Sequence, residues 1–154
     1  MSIRTVRLRA ALPALAGAAL LTGTLLSTPA QAAGGVRIYQ VWYDSPGRDT
    51  RSNSSLNAEW VQIRNTGGTA VSLKGWVLKD ASDHRYVFRG VSIGAGKYMK
   101  IHTGRGTDTA TDKYQGRGAY VWNNDRDTAT LTRPNGAGVS SCSWAKPGAG
   151  HKYC

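Results

Sequence analysis

The fold is decided by residues 59–80, EWVQIRNTGGTAVSLKGWVLKD. Val61 and Ile63 alternate with polar residues, which is the period of two expected for a strand with one buried face. The same alternation places Trp60 on the outer face. The Asn-Thr-Gly-Gly segment after Arg64 tolerates the positive φ angles that tight hairpin turns need. Residues 59–80 are therefore predicted to form two strands of one antiparallel sheet, joined by that turn.

The second half of this stretch changes phase at Gly75. Val71 and Leu73 are two residues apart, as are Trp76 and Leu78, but the two pairs would face opposite sides of one regular strand. One extra residue in the strand would bring both pairs to the core, and a β-bulge costs least at a glycine. We therefore predict a bulge at Gly75 and Trp76, with Trp76 in the core.

The first 32 residues have the three parts of an export signal. Three arginines precede an apolar run over residues 10–26, and Ala30-Gln31-Ala32 is a small-x-small cleavage site. A membrane anchor is the alternative, but the run is marginal in length for a bilayer and contains one proline and two glycines. We predict a signal peptide over residues 1–32, a mature domain over residues 33–154 and a secreted product without a membrane span.

The mature chain is strongly basic. Three of the 20 basic residues lie in the signal, which leaves 17 against nine acidic residues and a net charge of +8. The chain has two cysteines, Cys142 and Cys154, and in an exported protein an even count favours a disulfide. Two free thiols or an intermolecular bridge are the alternatives.

The remainder of the mature sequence consists of short alternating runs separated by glycine, asparagine and proline, without a helical period. This pattern predicts an all-β sandwich with negligible helix. Ile38 and Val41 are out of phase, which predicts an irregular or edge strand there, and residues 119–124 are predicted to be a strand. Two long polar segments, residues 44–58 and 104–118, are predicted to be loops.

Five short motifs follow one another along the mature chain: Asn65-x-Gly67; Val71-x-Leu73-x-Gly75-Trp76-x-Leu78-x-Asp80; Tyr86-x-Phe88; Ile101-His102-Thr103-Gly104-x-Gly106; and Val121-Trp122-Asn123-Asn124-x-x-Asp127-Thr128-Ala129-x-Leu131. In order and spacing they resemble the lamin-tail domain over nearly all of the mature chain. The resemblance implies an immunoglobulin-like β-sandwich. The filament-forming rod of lamins is absent, so no filament function is carried over.

The resemblance brings no catalytic residue and no cofactor. Its repeated positions have structural explanations: Gly75 for the bulge, Trp76 for the core, and Asn123, Asn124 and Asp127 for side-chain bonds to turn amides. The full set of predicted structural positions is Gly75, Trp76, Asp80, His102, Trp122, Asn123, Asn124 and Asp127.

The first polar segment is rich in oxygen donors of the kind that calcium prefers. The spacing is not that of an EF-hand, and two arginines lie among the donors, so local turn contacts are the competing explanation. The donors are Asp44, Asp49, Asn53, Asn57 and Glu59.

Two histidines have neighbours that catalysis could use: His102 is adjacent to Thr103 and is expected near Asp127, and His84 follows Asp83. Nucleophilic catalysis needs a serine or cysteine activated by a positioned base, and a metal hydrolase needs clustered histidines and carboxylates. Three scattered histidines and one glutamate do not supply either set. We interpret His102 as a structural residue at a strand end.

The basic surplus, together with five tryptophans and seven tyrosines, suits polyanions, because nucleic acids are held by cations and by stacking on aromatic rings. The alternative is an ordinary basic exported protein whose aromatic residues fill its core. The predicted polyanion contacts are Arg37, Arg48, Arg51, Arg64, Arg105, Lys113 and Arg117.

The preferred function is a secreted, non-enzymatic interaction module that presents residues 44–58 and 104–118 to a protein, glycan or cell-envelope ligand, since loops on a rigid sandwich are common recognition sites. Polyanion or nucleic-acid binding is the first alternative, and a salt-dependent interaction would distinguish it. A small phosphodiester hydrolase is the second.

Overall fold

A computed structural model describes residues 35–154 of the chain, and the predicted signal peptide lies outside these residues. In chain order the elements of this part are β1 (Val36–Trp42), α1 (Asn53–Ala58), β2 (Trp60–Asn65), β3 (Val71–Ser72), β4 (Val77–Lys79), β5 (Arg85–Val87), β6 (Ser92–Ile93), β7 (Tyr98–His102), β8 (Asp112–Tyr114), β9 (Arg126–Thr132), β10 (Gly138–Ala145) and β11 (His151–Tyr153).

The strands form two main sheets. One has the order β11-β1-β2-β7-β8, antiparallel except for the parallel β7–β8 pair, and the other has the antiparallel order β10-β9-β4-β5. Strands β3 and β6 make a separate two-stranded sheet. The immunoglobulin-like β-sandwich that the sequence predicted is confirmed.

Alternation along the strands builds the core between the sheets. Val61 and Ile63 of β2 lie fully buried opposite Leu78 and Leu131 of the other sheet, and Trp76 is buried with them. The side chains between these positions in β2 face outward. Burying an aliphatic or aromatic side chain contributes about 1.5–3 kcal/mol each, so this layer is the main source of stability.

The hairpin predicted over residues 59–80 is wrong. Strand β2 pairs with β1 and β7, whereas β3 pairs with β6 in a different sheet. The buried Asn65 redirects the chain: its Nδ2 donates to the carbonyl oxygens of Thr69 and Ile93, and its Oδ1 accepts from the Gly67 N–H. Turn-forming residues were recognised correctly, but this turn leads out of the sheet instead of back along it.

The bulge predicted at Gly75 is also wrong. The chain makes a tight turn there, in which the Trp76 N–H donates to the Leu73 carbonyl, and it passes from one sheet to another. Gly75 has a φ of +78°, which favours glycine, and an added Cβ would lie 3.1 Å from Pro134 Cγ. Leu73 and Trp76 are both buried, but they lie on either side of the turn between β3 and β4, so they need not share one strand phase.

Other predictions for individual strands had mixed outcomes. The irregularity predicted in β1 is confirmed, because its pairing with β2 shifts between Ile38 and Gln40. Residues 119–124 do not form a strand. Val121 and Trp122 are buried there, but the Val121 N–H donates to a side-chain carboxylate instead of a strand neighbour.

Both polar segments contain regular structure that was not predicted. Residues 44–58 include α1, for which Ser52 is the N-cap, its hydroxyl accepting from the Ser55 N–H. Residues 104–118 include β8, an edge strand parallel to β7. A six-residue helix with one buried side chain, Leu56, has too little apolar pattern to be read from sequence.

The predicted disulfide between Cys142 and Cys154 is present. It connects β10, at one edge of the four-stranded sheet, to the residue that follows β11, at one edge of the five-stranded sheet. The two sheets are thus covalently joined along one side. Within residues 35–154 no helix is long and apolar enough to cross a membrane.

Candidate functional site

The first polar segment and the start of the second come together at one end of the sandwich, which we call the loop end: residues 44–58 and 104–106. The side-chain amides of Asn53 and Asn57 both donate to the Arg105 carbonyl oxygen over 2.9 Å, and the Arg105 N–H donates to Asn53 Oδ1 over 2.7 Å. An Asn53–Asn57 spacing of four residues places both side chains on one face of α1. The helix therefore clasps the second segment through its backbone.

Gly104 lets the backbone come this close. A Cβ at Gly104 would lie 2.5 Å from Asn57 Oδ1 and 2.7 Å from Asn53 Oδ1. His102 adds another tie, because its Nδ1 donates to the Asn57 carbonyl oxygen over 2.8 Å. We call these contacts of α1 with Gly104 and Arg105 the clasp. The clasp depends on the absence of a side chain at Gly104.

Glu59 anchors the loop end from below. Its side chain is fully buried, and Oε1 accepts from the Thr103 hydroxyl over 2.6 Å and from the Val121 N–H over 2.9 Å. Burial raises the pKa of Glu59 to about 7, against the opposing effect of these hydrogen bonds. One carboxyl thus joins three separate segments of the chain.

His102 is placed as a structural residue. Its Nε2 lies 3.1 Å from Asp112 Oδ1, and its ring stacks on Tyr114 with 5.0 Å between centroids. The predicted proximity to Asp127 is wrong, because Asp127 lies on β9 in the other sheet. Both ring nitrogens of His102 are engaged, which leaves neither free to act as a base in this arrangement.

The family-motif carboxylates bind turn amides. Asp127 accepts from the Ala81 and Thr128 N–H groups through Oδ1 and from the Asn123 N–H through Oδ2, over 2.7–3.0 Å. Asp80 accepts from the His84 N–H over 2.7 Å in the same manner.

The prediction that the two asparagines of the motif bind turn amides is wrong. Asn123 Nδ2 donates to Asp127 Oδ2 over 3.2 Å, and Asn124 Nδ2 donates to Asp44 Oδ1 over 2.9 Å. Both side chains thus donate to carboxylates.

Four of the five oxygen donors suggested for a cation are engaged within the protein. Asp44 binds Asn124, Glu59 is enclosed, and the two asparagines hold Arg105. Among the residues that the structure describes, there is no group of three or more His, Cys, Asp or Glu side chains placed to hold a metal ion.

The seven predicted polyanion contacts do not form one patch. Arg37 and Arg64 are register partners on the five-stranded sheet. Lys113 lies 3.6 Å from Asp108 in an ion pair, and Arg117 donates to the Arg85 carbonyl oxygen. The remaining three, Arg48, Arg51 and Arg105, belong to the exposed loop end.

The most distinctive surface of the molecule is the outer face of the five-stranded sheet, which we call the aromatic face. Its strands bring five rings into one row across the whole sheet, through the register pairs His151–Trp42, Trp42–Trp60, Trp60–His102 and His102–Tyr114. Trp42 stacks on His151 with 4.6 Å between centroids, and the Trp42–Trp60 distance is 5.8 Å. Beside this row lie Tyr39, Tyr98 and Tyr153.

Cations are placed over these rings. Lys100 Nζ lies 4.2 Å from the centroid of Trp60, and the Arg64 guanidinium carbon lies 5.0 Å from that of Tyr98. The Tyr98 side chain is 37% exposed and that of Tyr153 is 62% exposed, so their rings meet solvent.

A groove of about 430 Å³ opens on the same face. Its lining combines one aromatic ring, one amide, two ammonium groups, one carboxylate and one hydroxyl. The lining residues are Gln62, Lys97, Tyr98, Lys100, Thr111 and Asp112. The Asp112 carboxylate is already engaged, since the Thr111 hydroxyl donates to it over 2.6 Å and this bond, with the nearby His102, lowers the pKa of Asp112.

Sequence reasoning placed several of these residues without recognising the surface. Alternation predicted that Trp60 faces outward, and the same period of two places Tyr98, Lys100 and His102 on the outer face of β7. The missing information was the strand order, because β11 and β8 contribute rings to a row that no local pattern connects. The aromatic content of KYMKIH and HKY was the available signal.

A comparison with protein families found one match: the model described as Lamin Tail Domain matches residues 29–146. Comparison with curated proteins gave no match. The family match spans most of the chain and includes both surfaces described above, apart from the rings contributed by β11.

Proposed function

This chain belongs to the lamin tail domain family, and from that premise we propose that it acts as an exported, non-enzymatic interaction module. The family is immunoglobulin-like and typically mediates protein interactions. The proposed ligand is a protein, glycan or cell-envelope component that meets the loop end.

The clasp at the loop end carries the proposal. Three hydrogen bonds hold Arg105 against Asn53 and Asn57, so the two segments form one surface before any ligand arrives. A surface that is ordered in advance loses less conformational entropy on binding than a flexible loop does. The side chains of Arg48, Arg51 and Arg105 remain exposed on it.

Non-enzymatic action is supported by how the reactive groups are used. Glu59 is fully buried, His102 is held at both nitrogens, and His84 Nδ1 lies 2.6 Å from Asp80 Oδ2. These groups support the architecture, and hydrolysis would need them at an accessible cleft.

The test is capture of a ligand from envelope and secreted fractions by immobilised wild-type protein and by the Arg48→Glu/Arg51→Glu variant. We expect a specific ligand to be retained by the wild type and lost from the variant. Lys74→Glu/Arg89→Glu is the matched control with the same change of charge, because Lys74 and Arg89 are exposed and lie outside the loop end. Equal retention by all three proteins would refute a role for the loop end.

A further inference from the structure

We propose that the aromatic face binds single-stranded polynucleotide, with one nucleotide seated in the groove beside Tyr98. This inference goes beyond the proposed interaction role, because it uses a different surface and a different class of ligand.

The side chains of the aromatic face suit a ligand with aromatic bases. An antiparallel sheet that packs one side on a core usually presents polar side chains on the other. Here that side carries a row of five rings that crosses all five strands, with three tyrosines beside it. The rings of the row are half-buried and Tyr98 and Tyr153 beside it are exposed, so the face offers solvent the kind of apolar surface that marks an interaction site.

The net charge of the aromatic face suits a polyanion. The five strands of this sheet contain a single acidic residue, Asp112, which lies on the edge strand β8 and is engaged by Thr111 and His102. Arg37, Arg64 and Lys100 lie on the same face. The face therefore complements a chain of negative charges, and it would repel a second copy of itself.

The groove beside Tyr98 offers a site for one nucleotide. At about 430 Å³ it has the scale of a small-ligand site. The half-exposed Tyr98 ring can stack with a base, the Gln62 amide can bond a base edge, and Lys97 and Lys100 can meet the flanking phosphates. Stacking with cation contacts is how single strands are held without strict sequence preference.

A single strand fits better than the neighbouring ligand classes. The bases of a duplex are stacked on one another and cannot reach a ring on a flat sheet. An acidic polysaccharide would use the cations but would gain little from the Tyr98 ring. The contribution of Tyr98 therefore separates a polynucleotide from other polyanions.

The experiment measures binding of the purified protein to a fluorescein-labelled oligothymidylate of 12 nucleotides. Fluorescence anisotropy is recorded at low and at moderate salt. We expect Tyr98→Ala to weaken binding roughly tenfold and Tyr98→Phe to stay within about twofold, since phenylalanine keeps the stacking ring. Lys97→Gln/Lys100→Gln should weaken binding and reduce the slope against log salt by about one unit. Thermal melting of each variant checks that the fold is intact.

Arg48→Gln/Arg51→Gln, at the loop end, is the charge-matched control and should change binding by less than about twofold once the loss of net charge is allowed for. Equal affinity of Tyr98→Ala and Tyr98→Phe would overturn the proposal, as would absence of binding to the oligonucleotide. Tighter binding of duplex DNA, heparin or anionic vesicles than of oligothymidylate would also overturn it. None of these outcomes depends on the ligand of the loop end, so the two proposals fail separately.

Discussion

The loop end and the aromatic face adjoin the same five-stranded sheet, but their side chains have different partners. At the loop end, Asn53, Asn57 and Glu59 give their hydrogen-bonding groups to the protein's own backbone and to Thr103. On the aromatic face, Tyr98 and Tyr153 remain substantially open to solvent. The loop end is held by polar groups that support the fold, whereas the aromatic face includes two exposed tyrosine rings, Tyr98 and Tyr153, that lie outside the buried core.

This difference has a physical consequence. A buried polar group that loses its partner costs more than the hydrogen bond itself contributes, because the remaining partner stays desolvated. An exposed ring that is removed leaves no such deficit. Substitution of Asn53, Asn57 or Glu59 should therefore reduce stability, whereas removal of the Tyr98 ring should change polynucleotide binding more than stability.

The largest effect is expected from Glu59→Ala. At pH 5 this change should lower the free energy of unfolding by about 3 kcal/mol, because the Thr103 hydroxyl and the Val121 N–H lose their acceptor inside the protein. Denaturant unfolding followed by tryptophan fluorescence measures it. A loss below about 1 kcal/mol would mean that the anchor is not structural.

The pH dependence of stability should also arise at the loop end. Burial raises the pKa of Glu59 from 4.5 to about 7, so the folded state holds a proton that the unfolded state releases. Its contribution is fully present below pH 4.5 and is lost as pH rises through 7. We expect stability to fall by on the order of 2–3 kcal/mol between pH 5 and pH 8.

Glu59→Gln is the control for this pH dependence. Glutamine keeps an oxygen acceptor for Thr103 and Val121 but cannot ionise, so the fall between pH 5 and pH 8 should flatten. Urea titrations at four pH values would decide the point. A profile in Glu59→Gln as steep as that of the wild type would assign the pH dependence to another group.

A smaller effect is expected from Gly104→Ala. The added Cβ would lie 2.5 Å from Asn57 Oδ1, so the clasp must open, at a cost of about 1–2 kcal/mol. Gly118→Ala is the matched control in the same segment, because nothing lies within 4 Å of its added Cβ. Thermal unfolding of the two variants should differ; equal melting temperatures would contradict the clasp.

The smallest effect on stability is expected from Tyr98→Ala. Because the ring is 37% exposed and its hydroxyl is not required by the core, the change should cost less than about 1 kcal/mol. The measurement is the same thermal unfolding. A cost above about 2 kcal/mol would show that the aromatic face supports the fold, and the contrast between the two regions would disappear.

Prediction from sequence succeeded where a local pattern carries the information. Alternation in β2 identified Val61 and Ile63 as core side chains, and the even cysteine count of an exported chain predicted the Cys142–Cys154 bridge. The family motifs led to the correct fold class.

It failed where partners are distant in sequence. The separation of β2 and β3 into different sheets depends on Asn65 bonding Ile93, 28 residues away. The clasp depends on Arg105 meeting Asn53, 52 residues away. The row of rings on the aromatic face joins five strands from β1 to β11. No periodicity within a segment encodes such contacts, so the predicted hairpin and the bulge at Gly75 were wrong, and α1 and β8 within the two predicted loops were missed.

Our central proposal is that the aromatic face and the loop end are two separate binding surfaces, and that single-stranded polynucleotide occupies only the aromatic face. Backbone amide chemical shifts recorded during titration with oligothymidylate test it most directly. We predict shifts concentrated at Gln62, Tyr98 and Lys100 and at their strand neighbours, with residues 48–57 unchanged. Shifts at residues 48–57 and 104–106, with β2 and β7 unaffected, would contradict the claim.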